Sequence, residues 1–160
     1  FVLQKNNPPR KSIMKISAFI VALALGLARV AFAANEPPTD VVVLESAKVN
    51  DAFAKGMPML INSRYKIQAG RRVTAPGQVE VHEHDTDIFY ITEGTATIVT
   101  GGTAEGAKPT AAGEIRGATI TGGVTRHLAK GDVIVIPRGV PHWFTQVSNP
   151  FLYLVVKVTK

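Results

Sequence analysis

From Leu60 onward, short runs rich in valine, isoleucine, threonine and aromatics are separated by turn-forming residues. The separators are Ala75-Pro76-Gly77, Glu93-Gly94, Gly101-Gly102, Gly122-Gly123, Lys130-Gly131, Pro137-Arg138-Gly139 and Asn149-Pro150. Glycine tolerates positive φ, and proline supplies no backbone donor, so neither continues a helix or a central strand. Many short strands punctuated in this way define a sandwich or a barrel. The pattern predicts strands over 60–63, 65–72, 78–84, 87–92, 95–100, 114–120, 124–128, 132–136, 142–147 and 151–158. Residues 101–113, rich in glycine, alanine and threonine, read as a mobile loop. Phe89, Ile91, Ile98, Val133, Val135 and Phe144 are the expected core.

The part before Leu60 has a different character. Residues 34–59 read as a polar tether, a short strand over Val41–Leu44 and a helix over Ser46–Lys55. Ser46 is its expected N-cap, and Gly56 ends it before Pro58. Residues 1–33 read as upstream residues plus a secretory signal. Met14 is the expected initiator, followed by Lys15, an apolar run from Ile16 to Ala28 and Ala31-Phe32-Ala33, with cleavage expected after Ala33. The run falls short of the roughly 20 apolar residues of a membrane span, so no permanent anchor is expected. This places the mature domain, residues 60–160 with its N-terminal extension, in the periplasm or outside the cell.

That division reshapes the charge argument. The whole chain carries 18 basic and 12 acidic side chains, a net of +6. Lys5, Arg10, Lys11, Lys15 and Arg29 lie before residue 34, and no acid does. The remainder is nearly neutral, which argues against a nucleic-acid surface, since that needs a basic stripe on the folded domain. The chain has no cysteine. Thiolate metal sites, disulfides and cysteine nucleophiles are therefore excluded.

Three of the four histidines fall in a pattern. His82 and His84 lie at i and i+2, which on a regular strand places them on one face together with Glu80. Asp87 follows, and His142 begins a later strand after the corner Pro137-Arg138-Gly139. Imidazoles with one carboxylate suit a divalent transition metal such as Fe, Mn, Zn, Ni or Cu. Asp85 is the competing carboxylate. Gln146 shares the His142 face by alternation, and Arg126 points into the barrel beside Leu128 on one reading of its strand. Glu80, Gln146 and Arg126 are thus candidate pocket residues, while His127 is expected to be exposed. Arg71 or Arg72 is a further pocket candidate, and Trp143 faces away from His142.

These residues resemble the two motifs of the cupin superfamily, G-x5-H-x-H-x3–4-E-x6-G and G-x5-P-x-G-x2-H-x3-N. The first is matched by Gly77, His82, His84, Asp87 and Gly94. The second is matched by Gly131, Pro137, Gly139, His142 and, in place of asparagine, Gln146. The resemblance spans about residues 60–158. It departs at the first motif, where Gly77 and Asp87 each stand one residue closer to the histidines and aspartate replaces glutamate. The resemblance implies an all-β jelly-roll barrel with a short N-terminal helix, one metal held by His82, His84, Asp87 and His142, and a homodimer. It also implies a small-molecule ligand or substrate. Cupin activities are diverse, so fold does not choose a reaction. Oxygenase- or isomerase-type chemistry is one expectation. A periplasmic ligand-binding module without turnover is the other, and a structural dimer with a vestigial site is a third.

Overall fold

The computed structural model describes residues 36–160. The expected initiator, signal segment and cleavage point lie outside the described residues. Helix α1 spans Ser46–Lys55, and thirteen strands follow: β1 Pro58–Ile61, β2 Tyr65–Arg72, β3 Val79–His82, β4 Asp85–Glu93, β5 Thr95–Thr100, β6 Thr103–Glu105, β7 Lys108–Ala111, β8 Glu114–Gly117, β9 Thr119–Thr121, β10 Val124–Ala129, β11 Val133–Ile136, β12 His142–Val147 and β13 Phe151–Thr159. All described pairings are antiparallel. One sheet has the order β1-β2-β13-β4-β11, a second β10-β5-β12-β3-β8-β7, and β6 with β9 forms a two-stranded ribbon. The non-sequential neighbours are those of a jelly roll, so the all-β expectation holds.

Several local expectations change. Glu45, not Ser46, is the N-cap, and its side chain makes no capping bond. Gly56 closes the helix in the left-handed region at φ 68°, donating to the Ala52 carbonyl at 2.7 Å. Val41–Leu44 is not a strand. Residues 101–113 are not one loop: β6 and β7 lie within them, and glycines with positive φ at 101, 102 and 106 make the turns. Among the described residues no helix is long and apolar enough to cross a membrane.

The core lies between the two sheets. Phe89 and Ile91 of β4 meet Ile98 of β5, Phe144 of β12 and Phe151, Tyr153 and Val155 of β13. Period-2 alternation explains the choice, since these residues occupy the inward positions of their strands. Val133 and Val135 depart from the expected core, being 61% and 57% exposed. The edge strand β11 turns Ile136 inward and those two valines out. Val133 pairs with Tyr90, which is also exposed, so the outer face of this sheet is apolar here. A smaller cluster under α1 joins Ala52, Met59 and Ala69.

The inward faces change character along each strand. On β4, Asp85 and Asp87 precede Phe89. On β12, His142 precedes Phe144, and on β13, Lys157 follows Val155. The interior is therefore apolar at one end and polar and charged at the other.

Candidate metal centre

At the polar end, β3 and β12 lie side by side, with Glu80 opposite His142. His82 is two residues along from Glu80, on the same face. Ligand atoms of Glu80, His82 and His142 all lie within 4.8 Å of one another. Asp87 enters from β4 in the facing sheet. Its Oδ2 is 3.4 Å from His82 Nε2 and 3.9 Å from His142 Nε2. His82, Asp87 and His142 are all buried.

Each imidazole is held by its other nitrogen. Glu114 on β8 places both carboxylate oxygens 2.9–3.0 Å from His82 Nδ1. The Val140 carbonyl accepts from His142 Nδ1 at 3.2 Å. With Nδ1 carrying the proton, each Nε2 presents a lone pair to the shared space. Neither Nε2 has a hydrogen-bond partner among the described residues. Buried polar atoms are rarely left so. A metal-bound histidine characteristically donates its second N–H to a carboxylate or carbonyl, as both do here. The residues present therefore fit a divalent transition metal: two imidazole nitrogens with a carboxylate oxygen.

His84 is not brought into the cluster. β3 ends at His82, where Glu83 N donates to Gly113 O at 2.9 Å and the chain bends. The i, i+2 alternation stops with the strand, and His84 is exposed. Its ring packs over Gly113, where an added Cβ would lie 2.7 Å from His84 Cδ2. Gln146 also leaves the His142 face. The register of β12 against β5 slips between Phe144 and Gln146. That bulge inserts one residue and reverses the following side chains. Gln146 is exposed, and its Oε1 accepts from Thr97 on the outer surface. Arg126 is exposed too, hydrogen-bonded to Thr100 Oγ1 and the Val124 carbonyl rather than facing the cluster. His127 is exposed, as expected. Asp85 is buried but bound to Lys66 Nζ at 2.5 Å and Thr159 Oγ1 at 2.6 Å, so its lone pairs are committed elsewhere. Trp143 points away from His142, donating from Nε1 to Gly77 O at 2.6 Å.

Of the two candidate arginines, Arg72 lines the site. Its Nη2 donates to Glu80 Oε1 at 2.9 Å, and its guanidinium lies 4.8 Å over the Phe144 ring. Sequence patterning did not point to Glu114, Arg116, Lys157 or Tyr153. Arg116 donates to Glu114 at 3.0 Å, and Lys157 donates to both oxygens of Asp87 at 2.7 Å. A signal for Lys157 was available: it breaks the apolar run of β13 at an inward position.

Electrostatics follow from this network. Burial opposes the charge of Glu80, but His142, Arg116, Arg72 and His82 outweigh it and hold the carboxyl below its ordinary value. Burial likewise opposes the charge of Asp87, and His82 and Lys157 bring it down. For His142 burial dominates and pushes the imidazole below its ordinary value. For His82 burial is overcome by Asp87 and Glu114, which raise the imidazolium above 6.5. In the metal-free protein a proton at His82 Nε2 thus competes with metal. Metal uptake near the raised His82 value is expected to release that proton. Affinity for Zn2+ should then fall about tenfold per pH unit below it, one proton competing with one ion. The metal-free protein behaves in the opposite sense: the stability drawn from His82 is full below the unfolded value and is lost as pH rises through the folded one. Titration calorimetry in buffers of different ionisation enthalpy measures the proton count. A count of zero at pH 6.5 would contradict this account.

A family model described as Cupin matches residues 32–160. Two solved structures share the fold. TT1209 from Thermus thermophilus is 18% identical with a TM-score of 0.51, covering 74% of this chain and 98% of its own. BH2720 from Bacillus halodurans is 10% identical with a TM-score of 0.52, covering 79% and 86%. At such identities the likeness concerns fold alone. No curated protein matches the chain.

Proposed function

This chain belongs to the cupin family, and on that premise we propose that it is an exported metal-binding protein acting on a small organic molecule by oxygenase- or isomerase-type chemistry. The observation that carries the reading is the pair of buried Nε2 atoms, unpartnered and facing one space, on imidazoles fixed through Nδ1. His82 and His142 would hold a divalent ion such as Fe, Mn, Zn, Ni or Cu, with a carboxylate from Glu80 or Asp87. When bound, such an ion supplies a Lewis acid for a substrate oxygen and open positions for substrate. The protein's own residues do the rest. Glu114 and Val140 keep the imidazole tautomers, Arg72 orients Glu80, and the aromatic cluster below excludes water.

Export is supported by the basic start, apolar run and Ala31-Phe32-Ala33 of the leader. The exposed apolar patch of Tyr90, Val133 and Val135 supports a homodimer.

One observation favours a second reading, capture of a small ligand without turnover. Every carboxylate around the two histidines is already paired: Glu80 with Arg72, Glu114 with Arg116, Asp87 with Lys157 and Asp85 with Lys66. Among the described residues no unpaired general base stands at the cluster. Elemental analysis of protein purified from its native compartment, together with oxygen-consumption and isomerisation assays on small organic acids and sugars, separates the readings. Stoichiometric metal with turnover is the expected result. Metal with tight ligand binding and no turnover favours capture, and protein lacking metal from that compartment sinks the metal-binding reading.

A further inference from the structure

Two carboxylates lie within reach of the paired imidazoles, and they are not equivalent. We propose that Lys157 withholds Asp87 from the metal, so that Glu80 supplies the carboxylate ligand. This rests on the metal-binding reading above.

Asp87 is placed well enough to bind, at 3.4 and 3.9 Å from the two Nε2 atoms. Both of its oxygens, however, accept from one ammonium, Lys157 Nζ, at 2.7 Å each. The contact is built into the sheet, because Lys157 and Asp87 are register partners on β13 and β4. It is also buried: the side chains are 12% and 2% exposed. The Nζ hydrogen bonds among the described residues go to Asp87 alone. Drawing Asp87 onto a cation would leave that ammonium uncompensated in the interior, which is the costly way to break a buried pair. The ammonium also neutralises the carboxylate and makes it a poorer donor.

Glu80 carries no such obligation. Arg72 takes Oε1, whereas among the described residues Oε2 makes no hydrogen bond and lies 3.6 Å from His82 Nε2 and 3.8 Å from Nη2 of Arg116, whose Nη1 keeps Glu114 at 3.0 Å. Oε2 can bind an ion while Oε1 keeps Arg72, so no charge is stranded. Arg72 keeps the Phe144 ring in either state. The position two residues before His82 thus takes the part expected of the one two residues after it. An E-x-H pair on β3 replaces the H-x-H pair, and Lys157 is the positioning residue that makes Glu80 the ligand.

The test is a mutational cycle on the full chain, read by chelator competition for Co2+ and by the visible absorption of the Co2+ protein. Glu80→Gln is expected to weaken Co2+ at least about tenfold and to shift the spectrum, whereas Asp87→Asn changes affinity by less than about threefold. In a Lys157→Met background Asp87 is released, and Glu80→Gln then recovers most of the lost affinity. Should Asp87→Asn fold poorly because it strands Lys157, the paired Lys157→Met/Asp87→Asn variant removes both charges and is expected to bind Co2+ like the wild type. The proposal is overturned if Asp87→Asn or the paired variant loses as much affinity as Glu80→Gln, or if Lys157→Met gives no recovery. Histidine-dependent binding with an Asp87-dependent spectrum would defeat this inference and leave the metal-binding reading intact. A wild-type protein that takes up no Co2+ would defeat both.

Discussion

Replacing His142 by alanine lowers Zn2+ affinity by at least about 100-fold, more than the 10- to 100-fold expected of Glu114→Gln. The ranking follows from what each side chain does. Among the described residues His142 offers one of the two nitrogen donors of the cluster, and its Nε2 has no hydrogen-bond partner there to lose. Glu114 touches the site through His82 Nδ1. Its amide analogue keeps the shape, but it can accept from Nδ1 with one oxygen only and lacks the charge. The ring of His82 then turns more freely and its Nε2 becomes a weaker base. Chelator competition at one fixed pH measures both variants on one scale. Circular dichroism checks that His142→Ala is folded. Equal affinities for wild type and His142→Ala would place any metal elsewhere on the protein.

The largest expected effect on stability comes from Phe144→Ala, a loss of about 3–5 kcal/mol. Phe144 is 2% exposed and sits between Phe89, Phe151 and Tyr153, with ring centroids 6.0, 5.5 and 5.6 Å away. Truncation removes its burial and leaves a space that these neighbours, fixed on the strands β4 and β13 of the facing sheet, cannot close. The change also takes away the ring beneath Arg72. Glu80 therefore loses part of its orientation, and metal affinity falls along with stability. Phe144→Leu, which keeps most of the volume, is expected to cost much less. Urea unfolding of the metal-free proteins at one pH separates the two substitutions. A loss below about 1.5 kcal/mol for Phe144→Ala would mean that the core relaxes around the gap.

The barrel is legible in the sequence because its signals are local. Turn residues at Gly94, Gly131 and Asn149-Pro150 mark strand ends, and alternation marks the inward positions of β4 and β13. His82 and His142 can be read for the same reason, each lying on a regular strand beside a recognisable corner. What cannot be read depends on pairing across the sheets. Alternation reaches His84 only by extending β3 two residues too far, and the bond that stops the strand comes from Gly113, thirty residues later. Gln146 follows a bulge that only the register with β5 reveals. Val133 and Val135 look like core because a run of four apolar residues does not say which of them face inward. The partner of Lys157 is fixed by the register of β13 against β4, which no spacing within either strand encodes. In each case long-range pairing resets a phase that local periodicity had seemed to define.

The corner between β11 and β12 ties the two imidazoles to one piece of main chain. Gly139 N donates to the His82 carbonyl at 2.7 Å, and the neighbouring Val140 carbonyl accepts from His142 Nδ1 at 3.2 Å. Two adjacent residues thus gauge both nitrogen donors, one through main chain and the other through a ring. Displacing that corner carries the two imidazoles together, so the gap between them is insulated from small relative movements of the sheets. The bite of the site is a property of a short turn, and the depth at which it sits is a property of the barrel.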